Sequence, residues 1–248
     1  MLGKLGLRRI VRRLESAVRP ESFRPADPHT PQAVERAIRH ATGTGVAEVG
    51  DYYEFGLFRG YTFWHAQKAA TESGNSSMRF VGFDSFSGLP EVAGIDAYKG
   101  DFATGQYSAS YRYVHDNLSR HGVDWSRTIL VPGYFADALT PELRLEHAMR
   151  PVAVALVDCD LYASTTLVLT FLADLFVDGS VLLFDDWNAF DRKDDHGERR
   201  AFREFQDDDP RFAAEPLFEY GIHGQAFLVR KSSNGRPGGL REFEAAAI

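Results

Sequence analysis

Two apolar runs of this chain end in paired aspartates, PVAVALVDCD at 151–160 and SVLLFDD at 180–186. Continuous apolar runs of this length are typical of parallel strands that are buried on both faces of a sheet. If the two strands are neighbours, four carboxylates meet at one edge of that sheet, those of Asp158, Asp160, Asp185 and Asp186. Carboxylates that lie so near one another repel, and each raises the pKa of the others. A hard divalent cation that binds their oxygens relieves the repulsion. The sequence therefore predicts a metal site at the carboxyl edge of an α/β sheet.

Strand-like and helix-like segments alternate along most of the remaining chain. Further strands are predicted at 50–56, 78–84 and 128–133. Helices are predicted at 31–42, 58–74, 108–122, 141–149, 162–176 and, as an exposed helix, 196–206. This alternation favours an α/β fold with a doubly wound, mostly parallel, Rossmann-like sheet. The segments EPLFEY and QAFLVRK flank a Gly-Ile-His-Gly turn and predict an antiparallel C-terminal hairpin.

Length, charge and cysteine content limit the class of protein. The 248 residues fit one large domain, which we place at 32–231, between a basic N-terminal helix with a proline-rich linker (1–31) and a flexible tail (232–248). The net charge of −7 argues against nucleic-acid binding. The single cysteine, Cys159, excludes an intramolecular disulfide and suits a reducing, cytoplasmic location. Because no apolar run is long enough to span a bilayer, we expect no stable membrane insertion.

The first twenty residues combine basic side chains with apolar residues at helical spacing. One interpretation is an amphipathic helix that packs on the domain or on a partner subunit, and on this basis we expect a homodimer. The other is a helix that binds a membrane surface or an anionic partner.

Small, acidic and aromatic residues follow the first three predicted strands. Glu54, Gly56 and Gly60 follow the first, Asp84 ends the second, and 133–135 (Gly-Tyr-Phe) follows the third. Ligands of doubly wound sheets bind outside the carboxyl ends of the strands, where an acid can bind ribose hydroxyls. Together these residues suit an adenosine-containing cofactor. Taken singly, each of these residues could instead form a turn, cap a helix or pack in the core.

Asp158 and Asp160 are two residues apart, so they face the same side if the strand continues through them. That arrangement suits a joint role in metal binding and proton removal, whereas the alternative is turn chemistry at a strand end. Cys159 between them is expected to point into the core. The long segment 85–105, rich in turn residues, is predicted to be functional or disordered.

Six segments, in their order and spacing, resemble the macrocin O-methyltransferase family, which comprises S-adenosylmethionine-dependent, metal-assisted sugar O-methyltransferases of antibiotic biosynthesis. The segments are GDYYEFGLFRG, VGFDSFSGLPE, KGDFATGQYSAS, VPGYFADAL, ALVDCDLYASTT and LLFDDW, which cover roughly residues 48–205. The combination of FDSFSGLP with a later DxDLYxST and DDW is specific, although each piece alone is not.

The resemblance implies a class I methyltransferase fold with S-adenosylmethionine as cofactor. The implied cofactor-binding residues are Glu54, Gly56, Gly60, Asp84, Ser85, Gly133, Tyr134, Phe135 and Asp158. The implied ligands of Mg²⁺, or of a similar divalent cation, are Asp158, Asp185 and Asp186. Asp160 is the implied general base.

The resemblance also implies a small hydroxylated acceptor, a sugar or other vicinal diol of a natural product, with 94–105 as a lid. Candidate acceptor contacts are Arg59, Tyr98, Lys99, Trp187, His196 and His223. Three alternatives stay open: a phosphatase that uses the DxD as a metal-dependent nucleophile site, a DxD glycosyltransferase, and a methyltransferase-like module that binds without turnover.

Overall fold

The computed structural model describes residues 23–231. The predicted N-terminal helix and C-terminal tail, with the dimer and membrane-surface interpretations of that helix, lie outside these residues. Within the described range, no helix is both long and apolar enough to cross a membrane.

A seven-stranded sheet forms the centre of the described chain. Its strands are β1 Asp51–Phe55, β2 Phe80–Asp84, β3 Thr128–Pro132, β4 Val152–Val157, β5 Phe176–Phe184, β6 Phe212–Tyr220 and β7 Gly224–Lys231. They lie in the order β3-β2-β1-β4-β5-β7-β6. The first five strands are parallel, whereas β7 is antiparallel to β5 and to β6. The prediction of a mostly parallel sheet with a closing hairpin is confirmed.

Helices cover both faces of this sheet. They are α1 His29–Thr44, α2 Val46–Val49, α3 Tyr61–Glu72, α4 Tyr111–Arg120, α5 Phe135–Ala138, α6 Pro141–Glu146, α7 Tyr162–Leu172 and α8 Gly197–Asp208, with 3₁₀ turns at Gly94–Gly100 and Trp125–Arg127. Every residue of β1 and β4 is buried, as expected for strands covered on both sides. Tyr52 and Tyr53 enter the cores on opposite faces because side chains alternate along a strand.

Two elements differ from the prediction. β5 begins at Phe176, inside the segment predicted to be helical, because Phe176 pairs with Val152 of β4. The helix α8 is not exposed as expected. It buries Ala201, Phe202 and Phe205 in the core of one face and leaves its charged residues on the other side. Its spacing of apolar residues is helical, but the many charges in this segment hide the buried stripe.

The register of the parallel strands fixes which residues meet at the carboxyl edge. Phe55 pairs with Val157, and Val157 pairs with Phe184. Because these paired residues end their strands, the residues that follow leave the sheet side by side. Asp158 and Asp185 are therefore neighbours, as the sequence predicted.

Candidate active site

A cavity of about 1130 Å³ opens along the carboxyl ends of the parallel strands. Most of the predicted site residues line it: Gly56, Asp84, Ser85, Gly133, Tyr134, Phe135, Asp158, Asp160, Asp185 and Asp186. Pockets for drug-sized ligands have volumes of about 300–1000 Å³, so this cavity has room for a cofactor and a second molecule. It lies beside the β1–β4 boundary, where the strand order reverses and ligands of doubly wound sheets bind.

Three carboxylates gather where β4 and β5 end. One oxygen from each of Asp158, Asp185 and Asp186 lies within 4.8 Å of the others. We call this set the aspartate triad. Hard carboxylate oxygens are the ligands that Mg²⁺ uses, together with water and substrate oxygens. The residues present therefore fit the predicted cation.

The negative charges of the aspartate triad favour binding of a cation between its carboxylates. Burial, and then the charges of Asp185, Asp160 and Asp186, raise the pKa of Asp158 well above its ordinary value. Since these neighbouring charges are all negative, a bound cation would make the ionised form of Asp158 less costly.

Asp160 occupies a position of its own. The expectation that the strand continues to Asp160 is wrong, because β4 ends at Val157. Asp160 has a φ of +63°, and the Leu161 N–H donates to the carbonyl of Cys159 over 2.7 Å, so Asp160 is the central residue of a γ-turn. Its side chain is 6% exposed and borders the cavity. Cys159 is buried in the core as predicted.

The turn after β1 passes too close to the end of β4 for any side chain. Gly56 has a φ of +97°, and a Cβ there would lie 1.8 Å from the carbonyl oxygen of Asp158. The Asp158 N–H in turn donates to the Phe55 carbonyl over 2.9 Å. A glycine at this position therefore brings the β1 turn directly beside the aspartate triad.

Asp84 organises the same turn from the end of β2. Its Oδ2 accepts the N–H groups of Leu57 (2.7 Å) and Phe58 (3.0 Å), and its Oδ1 accepts that of Phe86 (2.6 Å). Burial raises the pKa of Asp84, and the three backbone donors act in the opposite direction. Asp84 thus has the turn role that the sequence left open, and it also lines the cavity.

Glu54 and Gly60 are buried, and neither is among the residues that line the cavity within the described chain. Glu54 is 1% exposed and accepts the Tyr52 hydroxyl over 2.5 Å. Burial raises the pKa of Glu54 to about 8, against the lowering effect of that hydrogen bond. Gly60 precedes α3 and packs beside Val114 and Leu118. Direct contact of either residue with a cofactor stays a prediction.

The two aromatic residues after β3 have different surroundings. Tyr134 is 40% exposed, whereas Phe135 packs edge-on against Phe55 with ring centroids 5.8 Å apart. The Gly133 N–H donates to the Asp84 carbonyl over 3.0 Å and joins this turn to β2. Tyr134 can therefore stack on a planar ligand while Phe135 fixes the turn.

The segment that leads into α1 lines the cavity, although its sequence predicted only a linker. Residues 24–29 form part of the wall, although they fall in the predicted linker. The Phe23 ring stacks on His121 with centroids 3.9 Å apart. At the start of α1, the Thr30 hydroxyl donates to Asp185 Oδ1 over 2.8 Å. The prolines here indicated only a spacer, and nothing in the local pattern predicts the contact with β5.

The predicted lid, 94–105, packs beside the cavity without lining it. Asp96 accepts the N–H groups of Tyr162 (2.7 Å) and Ala163 (3.2 Å) at the start of α7. This contact ties the segment to the helix that follows Asp160. Of the candidate acceptor contacts, Arg59 and His223 line the cavity, whereas Tyr98, Lys99, Trp187 and His196 do not.

Comparison with known proteins places this geometry in a family. The model of the family described as macrocin-O-methyltransferase (TylF) matches residues 31–220. A curated relative, the 8-demethyl-8-(2,3-dimethoxy-alpha-L-rhamnosyl)-tetracenomycin-C 4'-O-methyltransferase of Streptomyces olivaceus, is 29% identical over 175 residues. The matched region is 66% of this chain and 64% of the relative, less than two thirds of the relative's length.

Solved structures share the fold. The O-methyltransferase NovP matches with a TM-score of 0.67 and 22% identity, over 82% of this chain and 79% of NovP. The calicheamicin methyltransferase CalS11 matches with a TM-score of 0.65 and 19% identity, over 91% and 93% of the two chains. The fold is thus that of the class I O-methyltransferases, and the family match over most of the chain shows that the protein belongs to the macrocin O-methyltransferase family.

Proposed function

We propose that this member of the macrocin O-methyltransferase family transfers the methyl group of S-adenosylmethionine to a hydroxyl of a sugar, or of another vicinal diol, in a natural product. Asp158, Asp185 and Asp186 would hold the divalent cation, Mg²⁺ or similar, that assists the transfer. The observation that carries the proposal is the aspartate triad beside a cavity large enough for two ligands.

The relative from Streptomyces olivaceus supports a sugar acceptor. Its name describes O-methylation at a 4' position of a tetracenomycin that carries a dimethoxyrhamnosyl group. A ring hydroxyl and the oxygen on the neighbouring carbon of a sugar, whether hydroxyl or ether, can present two oxygens to one cation, which matches an open site with three carboxylate ligands. A glycoside is therefore the acceptor class that we favour.

The β1–β3 side of the cavity suits S-adenosylmethionine. Gly56 leaves the backbone open to the methionine part, and Asp84 can accept hydrogen bonds from ribose hydroxyls. Tyr134 offers an exposed ring to the adenine, with Ser85 beside it on the wall. Glu54 supports this side from within the sheet through Tyr52.

The reaction requires removal of one proton and the exchange of one bond. A bound divalent cation would supply Lewis-acid charge that lowers the pKa of the acceptor hydroxyl. The Asp160 carboxylate accepts the hydroxyl proton as general base. The oxygen then bonds to the methyl carbon while the carbon–sulfur bond breaks, which gives a methyl ether and S-adenosylhomocysteine. The cavity wall contributes alignment of oxygen and methyl group at about 3 Å.

The alternative functions receive no specific support. An aspartyl-phosphate enzyme would use Asp158 as nucleophile, but the family model that matches residues 31–220 is that of a methyltransferase. A glycosyltransferase would require a nucleotide-sugar site, whereas the methyltransferase family match covers six of the seven strands, β1 to β6. A purely binding module would gain nothing from several mutually repelling buried carboxylates.

Methyl transfer with and without chelator tests the proposal. The full-length protein in EDTA should bind S-adenosylmethionine in calorimetry but transfer no labelled methyl group to a rhamnosylated aromatic polyketide. Excess Mg²⁺ should restore the transfer. Full turnover in EDTA would reject the role of the cation, and failure to bind S-adenosylmethionine would reject the methyltransferase function itself.

A further inference from the structure

Glu198 is a buried carboxyl that the site as described does not use. It lies in the first turn of α8 and is 1% exposed. Neither Oε1 nor Oε2 has a hydrogen-bond partner among residues 23–231. Burial of an unpaired carboxyl is costly, and most buried polar atoms have a protein or water partner. Glu198 is therefore placed to serve a partner that these residues do not supply.

Other buried acids show how this chain ordinarily satisfies such a group. Asp51 is 0% exposed and pairs with Arg79 over 2.7 Å. Asp209 is 3% exposed and pairs with Arg211, also over 2.7 Å. Glu54 and Asp96, also buried, accept a tyrosine hydroxyl and backbone N–H groups instead. Glu198 differs from all of these acids because no donor among the described residues reaches its oxygens.

The two arginines that follow Glu198 are engaged elsewhere. Arg199 donates to Asp194 Oδ1 over 2.7 Å and to Asn188 Oδ1 over 3.2 Å. Arg200 donates to Glu204 Oε1, also over 2.7 Å, one turn further along. Neither arginine donates to the buried carboxyl of Glu198.

The helix α8 packs against the segment that carries Asp185 and Asp186. The centroid of the Phe202 ring lies 5.1 Å from that of Phe184, directly before Asp185, and the Arg199 guanidinium donates to Asn188 Oδ1 over 3.2 Å, two residues after Asp186.

Apart from burial, the charges of Asp186, Asp185, Asp158 and Asp160 act most strongly on the carboxyl of Glu198 and raise its pKa. Glu198 is not one of the three carboxylates that lie within 4.8 Å of one another. It therefore lies next to the triad and outside it.

We propose that Glu198 is the outer carboxyl of the cation site: it accepts hydrogen bonds from water that the bound cation carries, and so strengthens binding of a strongly hydrated divalent cation. This role rests on the proposed function. Mg²⁺ keeps several of its waters when proteins bind it, and those waters need acceptors. Glu198 is 1% exposed and offers two oxygens that no donor among residues 23–231 occupies.

Mn²⁺ binding to the full-length protein, followed by electron paramagnetic resonance of the free ion, tests this role. Glu198→Ala should weaken Mn²⁺ binding by about 10–100-fold, the usual effect of removing an outer partner. Glu198→Gln should weaken it less, because the amide keeps one acceptor oxygen. Asp207→Asn removes an exposed negative charge from the same helix and should leave the Mn²⁺ affinity as it is in the wild type.

Calorimetry with S-adenosylmethionine shows whether each variant is folded, and Glu198→Gln preserves the size of the side chain if Glu198→Ala does not fold. Wild-type Mn²⁺ affinity in a folded Glu198 variant would overturn the role of Glu198 and leave the triad intact. Equal weakening by Asp207→Asn would show a general charge effect and also overturn it. A wild-type protein that binds no Mn²⁺ would overturn this role together with the cation part of the proposed function.

Discussion

The carboxylates at the two ends of the central strands have opposite electrostatic surroundings. At the amino end of β1, Asp51 pairs with Arg79 over 2.7 Å and with Arg150 over 3.2 Å. At the carboxyl end of the adjacent β4, the strongest charges acting on Asp158 are those of other carboxylates. The chain neutralises an acid where the sheet only has to be held together, and it concentrates acids where a ligand has to bind.

This contrast has a thermodynamic meaning. A buried carboxylate that has lost its arginine leaves an uncompensated charge and destabilises the fold. Clustered carboxylates destabilise the protein by mutual repulsion until a cation binds, and the free energy of cation binding then adds to stability. The same residue type therefore supports structure at one end and binding at the other, and the two ends should respond differently to mutation.

The largest expected effect is on turnover at the carboxyl end. Asp185→Ala should lower kcat for Mg²⁺-activated methyl transfer by about 1000-fold or more, because a lost cation ligand removes several kcal/mol of transition-state stabilisation. The affinity for S-adenosylmethionine, measured by calorimetry, should stay largely unchanged. Asp207→Ala is the matched control, and it should turn over like the wild type. If kcat and the affinity for S-adenosylmethionine fall together, Asp185 contributes to cofactor binding rather than to cation binding.

The next effect is on stability at the amino end. Asp51→Ala should lower the free energy of unfolding by about 3–5 kcal/mol, because it leaves the guanidinium groups of Arg79 and Arg150 without the carboxylate that balances their charge. Asp158→Ala in cation-free buffer should leave the free energy unchanged or raise it, because it removes repulsion. Urea denaturation of both variants, beside Asp207→Ala, measures the difference. Equal destabilisation by Asp51→Ala and Asp158→Ala would show that acids at the amino and carboxyl ends of the strands do not differ in their contribution to stability.

The sheet and the aspartate triad were predictable from sequence because both follow from local pattern. Apolar runs identify buried parallel strands, and parallel strands end together at one edge. The register that pairs Val157 with Phe184 then puts Asp158 beside Asp185, so no tertiary contact outside the sheet is needed to predict this arrangement. Gly56 and Asp84 were also predicted at this edge, since strand-end glycines and acids form turns that approach ligands.

The remaining site features depend on tertiary contacts that no local pattern contains. Glu198 lies in a segment so rich in charge that its burial cannot be read from composition. Asp160 was expected on a continuing strand, and the γ-turn that places it depends on where β4 ends. Thr30 lies beside a proline-rich stretch that suggests a linker, but its partner is 155 residues away.

The contact between Thr30 and the triad predicts a smaller effect, at the carboxyl end. Thr30→Val should lower the free energy of unfolding by about 2 kcal/mol, because it removes a hydrogen bond to a charged group from a position that is 3% exposed. Thr44→Val is the matched control on the same helix, where the hydroxyl bonds only to nearby backbone carbonyls. Urea denaturation compares the two variants. If Thr30→Val and Thr44→Val lower the free energy of unfolding equally, the hydrogen bond from Thr30 to Asp185 does not stabilise the fold.

The smallest effect is a pH dependence that originates between the two ends, at Glu54. Burial raises the pKa of Glu54 from 4.5 to about 8, so the folded protein binds this proton more tightly than the unfolded chain does. The stability from Glu54 is therefore fully present below about pH 4.5 and is lost as the pH rises through 8. Between pH 7 and pH 8 the free energy of unfolding of the wild type should fall by about 1 kcal/mol more than that of Glu54→Gln. Urea denaturation of both proteins in cation-free buffer at pH 7 and pH 8 measures this difference. If the free energy of unfolding changes equally with pH in the wild type and in Glu54→Gln, Glu54 is ionised in the folded protein. Glu54 would then resemble Asp51, whose charge is paired.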